Sequence, residues 1–320
     1  MNAFAITKPL LVVLGPTAVG KTALSIAIAE RYNGEIVNCD SMQVYRYMDI
    51  GTAKPTIEER RGIPHHLLDV VTPEQPYDAA CFSRDASTAI TAIHERNRLP
   101  VVVGGTGLYL RALLYGLVPA PKIDEKLRDQ LLTRLQTEGL ASLFAELATL
   151  DPISAQRIAA TDRQRVVRAL EIYYSTGQPW STLLERQGNF TLACRFGNIL
   201  QIGLGCERQQ LYQKINARCQ GMVTAGLEEE VLDLLSRGYS PTLKSMGAIG
   251  YRHMFEYLAG RYSQKVMVDL MSRDTRRYAK RQCTWFSQDK TVFWETIDNQ
   301  PTIFSVIERW LGQPPSLGKL

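Results

Sequence analysis

Short apolar runs rich in β-branched residues recur along the chain at 10–14, 35–39, 67–71, 100–103 and 199–204, each bounded by turn residues. Between several of them, at 22–32, 78–96 and 106–115, apolar positions recur with the period of a helix that buries one face. Strands that are apolar throughout are covered on both faces, and strands separated by helices pair in parallel. The pattern therefore predicts an α/β fold built on a parallel sheet covered by helices.

After Gly116 the texture changes. Pro119 and Pro121 mark a break, and from Lys122 to about Ser175 the pattern is helical with no strand candidate. In KLRDQLLTRLQTEGL, Leu127, Leu131, Leu132 and Leu135 form one stripe, while Asp151-Pro152 and Thr161-Asp162 read as breaks or caps that start new helices. Residues 177–195 read as loop, after which the sheet resumes and a helix-rich C-terminal third follows. The expected organisation is a core from 1–118 and 196–320 with an all-helical insertion at 119–195.

Composition narrows the class. The chain of 320 residues is 45% hydrophobic, enough for a sizeable core. Its longest apolar stretch, from Leu10 to Val19, is interrupted by Gly15 and Pro16 and falls short of the roughly 18 residues of a membrane span. No export signal is visible, so a cytoplasmic protein without membrane contact is expected. Six scattered cysteines without a CxxC pair read as free thiols, and the four histidines form no metal constellation. Nothing calls for an obligate oligomer, and a monomer is expected. Ten Lys or Arg and four Asp or Glu stand between Lys244 and Lys290, a balance of +6 in a chain whose total is +5. Such a stretch suits a phosphate-rich partner or a plain solvated face.

The sharpest chemical signal is GPTAVGKT, which follows the first strand and opens the first helix. It fits G-x-x-x-x-G-K-[ST], the phosphate-binding P-loop, and so refines the fold to a P-loop NTPase-like sheet. Backbone N–H groups and the positive end of the helix converge there on an anion, Lys21 adds a point charge, and Thr22 is placed to ligate Mg²⁺. NTP hydrolases commonly carry an aspartate after a later strand, but here that strand ends in Gly104, Gly105 and Thr106. The acid stands instead at Asp40, after the second strand. Carboxyl ends of parallel strands share a crevice, so Asp40, Thr106 and the loop belong to one site. Asp40 could cap a turn, hold a metal through water, or act as a general base. These residues describe a P-loop group transferase and leave a small-molecule kinase open.

Seven stretches together resemble the bacterial tRNA dimethylallyltransferases: GPTAVGKT, DSMQVYRYMDIGTAKP, GIPHHLLD, GGTGLYLRALL, DRQRVVRALE, MGAIGYRHM and RRYAKRQCTWF. The resemblance implies that Gly15, Pro16, Thr17, Ala18, Val19, Gly20, Lys21 and Thr22 grip the diphosphate of dimethylallyl diphosphate, with Mg²⁺ on Thr22 and a further contact from Arg218. The nucleophile would be N6 of adenosine 37 of tRNA, and no phosphoryl group would move. Asp40 would take the amine proton, Thr106 would stand near the reacting centre, and Thr17 would help position the substrate.

For the tRNA, the resemblance implies contacts from Asp40, Ser41, Met42, Gln43 and Thr106, from Arg128, and from Gln164, Arg165, Val166, Val167 and Arg168. The insertion would then grasp the anticodon loop, where an extruded base costs least; a helical lid over a small substrate is the competing reading. Near the C-terminus, Arg273, Arg277 and Arg281 are spaced four apart on one helix face, with Arg276 and Lys280 in a second row, suited to a phosphate backbone. Tyr278, Trp285 and Phe286 read as core, and His65, His66 and Asp69 as structural support. The readings that compete with prenyl transfer are a P-loop kinase, in which Asp40 binds an acceptor hydroxyl, and an NTP-driven nucleic-acid-binding switch.

Overall fold

The computed structural model describes residues 6–117, 124–188 and 194–312. The expected break at Pro119 and Pro121 lies outside them. Six strands form one sheet: β1 (Leu10–Leu14), β2 (Gly34–Cys39), β3 (His65–His66), β4 (Leu99–Gly104), β5 (Ile199–Gly205) and β6 (Phe293–Thr296). Their order is β3-β2-β4-β1-β5-β6, and every pairing is parallel. All five residues of β1 are buried, as a central strand covered on both faces requires. The expected parallel α/β sheet is present.

Two compact units divide the chain, one from Met1–Tyr115 with Cys194–Leu320 and the other from Gly116–Ala193. The first holds the sheet with α1 (Lys21–Arg31), α2 (Ala79–Glu95), α3 (Gly107–Tyr115) and the C-terminal helices. Asp78 caps α2 by accepting from the N–H groups of Ala80 and Cys81. The second unit contains α4 (Glu125–Thr137), α5 (Leu140–Leu150), α6 (Pro152–Arg157), α7 (Arg163–Thr176) and α8 (Trp180–Gly188). Its own core buries Leu131, Leu135, Leu143, Leu147, Val166 and Leu170, with Leu127 and Leu132 at its edge. Asp151 and Asp162 cap α6 and α7 as their positions suggested.

Three expectations are corrected. The third strand is His65–His66, not 67–71, because Leu67 and Asp69 take φ of +64° and +55°, which breaks the extended run. Beyond it, Val71 makes an isolated bridge to Tyr45. Residues 177–195 are not all loop: Gly177 ends α7 in the left-handed conformation, and α8 starts three residues later. Finally, β6 extends the sheet beyond β5, an addition the hydrophobic pattern does not predict, since four residues between polar neighbours carry little period.

The sheet unit continues with α9 (Arg208–Thr224), α10 (Leu227–Ser236), α11 (Ile249–Leu258), α12 (Gln264–Phe286) and α13 (Gln300–Leu311). Of these, α12 matters most for the site, because it carries side chains to the ends of β1 and β4.

Candidate active site

The turns after β1, β2 and β4 open on one cavity of about 800 Å³. The phosphate loop enters α1 through Gly20 at φ +106°. Among the described residues no side chain caps α1, so its first N–H groups stay available to an anion. Lys21 donates from Nζ to the Pro16 carbonyl at 2.7 Å. Burial lowers its pKa to about 8, Arg218 pushes the same way, and Asp40 opposes both. From α9, Arg218 donates to the Thr17 hydroxyl at 3.1 Å, and burial lowers its own pKa. Arg218, to which the resemblance assigns a further diphosphate contact, thus stands beside the loop.

Within the loop the roles divide. Thr17, Ala18, Gly20, Lys21 and Thr22 line the cavity. Gly15, Pro16 and Val19 are buried, and Pro16 has no N–H to donate, so these residues shape the loop. The Thr17 N–H is also committed, since it donates to Oε1 of Gln282 at 2.9 Å. The amide cradle therefore runs from Ala18 to Thr22.

Across the cavity, Asp40 follows β2 directly. Its Oδ1 accepts from the N–H groups of Met42 at 2.8 Å and Gln43 at 3.3 Å, so the turn-capping role is real. Its Oδ2 makes no hydrogen bond among the described residues, which leaves one carboxylate oxygen for chemistry. Ser41, Met42 and Gln43 also line the cavity. The amide of Gln43, however, donates to the carbonyls of Thr52 and Ala53, fixing the following loop.

Thr106 is not part of the cavity wall. Its hydroxyl accepts the Ser41 N–H at 3.2 Å, so it braces the Asp40 turn from behind. Gly104 allows β2 to approach, because a Cβ there would lie 2.0 Å from the Cys39 carbonyl oxygen.

The lining includes residues not assigned to the site from sequence, among them Glu59, Arg61, Arg252, Tyr278 and Gln282. Tyr278 is the clearest correction, since it read as core. Burial raises its pKa, keeping the phenol protonated beside Thr106. Arg281 lines the cavity, with its guanidinium 5.7 Å from the centre of the Tyr278 ring, whereas Arg277 sits on the outer face of α12 near Asp274. Ala23, Ile26, Met222, Ile249 and Met271 supply an apolar wall. A cavity with a cationic cradle, the carboxylates of Asp40 and Glu59, and apolar walls suits an anion joined to a hydrocarbon.

In the helical unit, Arg128 and Arg168 converge on the carboxylate of Glu171, at 3.6 and 3.1 Å, and the Glu171 side chain is 2% exposed. Gln164 and Arg165 are exposed in the first turn of α7. Val166 and Val167 are buried in that unit's core, so their side chains pack the helix and offer nothing to an RNA surface.

The histidine motif is structural. His66 bonds Glu35 at 2.6 Å, and Glu35 also takes two bonds from Arg96 at the start of β2, the end away from Asp40. Buried Lys54 donates to Asp49, Asp69 and the Tyr45 carbonyl, tying GTAKP to HHLLD. Among the described residues no cluster of His, Cys, Asp or Glu could hold a metal by itself. The Thr22 hydroxyl, exposed to the cavity and without a hydrogen bond among the described residues, fits an ion held chiefly by phosphate oxygens and water, as Mg²⁺ commonly is.

Residues 43–289 match the family model described as IPP transferase, and residues 8–72 that described as isopentenyl transferase. A tRNA dimethylallyltransferase 2 of Geotalea uraniireducens is 50% identical over 285 residues, 89% of this chain and 91% of the relative. A tRNA dimethylallyltransferase of Desulfotalea psychrophila is 49% identical over 306 residues, 96% of each chain. The solved full-length tRNA isopentenylpyrophosphate transferase of Bacillus halodurans aligns with a TM-score of 0.69 at 40% identity, covering 95% of this chain and 96% of that one. A eukaryotic dimethylallyltransferase solved in the course of acting on tRNA gives 0.78 at 28% identity, over 98% of this chain and 81% of that one. With matches that run through the phosphate loop, the Asp40 turn and α12, the chain belongs to the IPP transferase family.

Proposed function

We propose that this protein transfers the dimethylallyl group of dimethylallyl diphosphate to N6 of adenosine 37, next to the tRNA anticodon, and releases diphosphate. One observation carries the proposal: a carboxylate with an uncommitted oxygen faces, across a single cavity, a cradle built from α1, Lys21 and Arg218. The bond between the allylic carbon and the diphosphate oxygen breaks, and a bond from N6 to that carbon forms. The N6 proton passes to Oδ2 of Asp40, which is placed to take it as the amine attacks. Charge that grows on the departing diphosphate is met by the amides of Ala18 to Thr22, Lys21 and Arg218. Mg²⁺, held by Thr22 and the diphosphate, would neutralise part of the same charge. Thr106 keeps the Asp40 turn in place through Ser41, and the apolar wall excludes water from the allylic carbon.

The basic residues of α12 and those of the helical unit, Arg128, Gln164, Arg165 and Arg168, are the proposed tRNA contacts, the helical unit gripping the anticodon loop. Cytoplasmic tRNA is the substrate this reading requires. Incubation with dimethylallyl diphosphate, Mg²⁺ and unmodified tRNA, followed by mass spectrometry of the nucleosides, should find a five-carbon unit on adenosine. Transfer of a γ-phosphate from ATP to a small acceptor, with the RNA unaltered, would replace the proposal with the kinase reading.

A further inference from the structure

We infer that Gln282 is a positioning residue for this reaction, a clamp that fixes the phosphate loop against the turn after β4 and so sets the separation of the leaving group from the attacking amine. The inference rests on the function proposed above. Gln282 is 5% exposed on α12. Its Oε1 accepts the Thr17 N–H and its Nε2 donates to the Gly105 carbonyl, both at 2.9 Å. Thr17 follows β1 and Gly105 follows β4, which are neighbouring strands. The fit is close: a Cβ on residue 105 would lie 2.2 Å from Nε2, so glycine is needed there for the amide to enter.

The chemistry of the clamp is restrictive. It needs one acceptor and one donor on the same planar group, which a primary amide supplies. Asparagine is one methylene shorter and cannot span the same two partners from this helix. An ionised glutamate keeps an acceptor for Thr17 but turns a second acceptor toward the Gly105 carbonyl. A protonated glutamate restores the donor, because its O–H replaces Nε2.

The consequence for the reaction is geometric. Diphosphate sits on the loop that Thr17 begins, while the amine is held from the side of Asp40, whose turn leans on Thr106, the residue after Gly105. A direct attack tolerates little error in the distance between those two sides. Gln282 is the side chain that bonds both, and one turn earlier on the same helix Tyr278 meets Thr106.

The test uses the full chain with Gln282→Ala and Gln282→Glu, each checked for folding by thermal melting. For Gln282→Ala, kcat should fall about tenfold to a hundredfold, the cost of two buried hydrogen bonds at a reacting site, while tRNA affinity stays within about twofold. For Gln282→Glu, activity divided by that of the wild type at the same pH should rise about tenfold between pH 8 and pH 6, as the carboxyl regains its proton. Affinity for inorganic pyrophosphate with Mg²⁺ should recover over the same range, a readout that needs no RNA. A ratio and an affinity that are both flat with pH, or a Gln282→Ala enzyme with wild-type kcat, would overturn the inference. A wild type that makes no prenylated RNA would remove the function proposed above, and the pyrophosphate titration would still decide for or against the clamp.

Discussion

Asp40 commits one carboxylate oxygen to the amides of Met42 and Gln43 and keeps the other clear, and this division determines what each substitution removes. Asparagine can still accept both turn N–H groups through Oδ1, but its NH₂ cannot take a proton. Asp40→Asn should therefore lower kcat by about 10² to 10⁴, the usual worth of a general base, with tRNA affinity within about twofold. Single-turnover rates and filter binding measure the two; equal losses would make Asp40 a binding residue. Lys21 gives a pH signature. Burial and the neighbouring Arg218 bring its pKa down to about 8, so in the free protein the ammonium loses its proton as pH rises through that value. Affinity for pyrophosphate should hence be level below pH 8 and fall above it. Lys21→Ala should bind weakly throughout, with no inflection there; an inflection that persists in that variant would assign the titration to another group.

On the scale of the element, α12 has two occupations on two faces. Tyr278 and Gln282, four residues apart, face the turns of the sheet, while Arg277 is exposed on the outside and Arg281 reaches the cavity. Arg277→Ala should weaken tRNA binding and reduce the slope of log affinity against log salt by about one counterion, leaving the rate of the bound complex unchanged. Arg281→Ala should change both affinity and that rate, which salt titration and single-turnover kinetics separate. This helix also marks what could be read in the sequence. Its arginine rows follow from spacing alone, as does the phosphate loop, because both are local patterns. Gln282 could not be found that way: its partner Thr17 lies 265 residues earlier, and no periodicity encodes such a bond. Tyr278 reads as core because an aromatic residue on an amphipathic helix usually packs inward, and only the fold shows that inward here means the cavity. The misplaced third strand has a similar origin. Leu67 and Asp69 are held at positive φ, next to the ion pair of Asp69 with Lys54, a long-range contact that overrides a β-branched run.

For the whole molecule the question is where an anion goes, because two places compete for it. One is the loop before α1, and the other is the basic stretch from Lys244 to Lys290, whose net charge is +6 in a chain that totals +5. A diffuse positive field attracts any polyanion and is screened at physiological salt, whereas a cradle of amides with a partly buried lysine would hold one diphosphate through short hydrogen bonds. Ligand that binds the folded state alone stabilises it by about 2.7 kcal/mol at a hundred times its dissociation constant. For a chain of this size that corresponds to a rise of roughly 5 °C in the melting temperature. Pyrophosphate with Mg²⁺ at 150 mM salt should therefore raise the melting temperature of the wild type and of Arg277→Ala alike, and leave Lys21→Ala within about a degree of its value without ligand. Adding salt should not abolish the rise, since short hydrogen bonds and not a diffuse field would hold the anion. If instead Lys21→Ala responds as the wild type does and Arg277→Ala does not, the anion rests on the outer face of α12, and the loop before α1 is not the site that holds the leaving group.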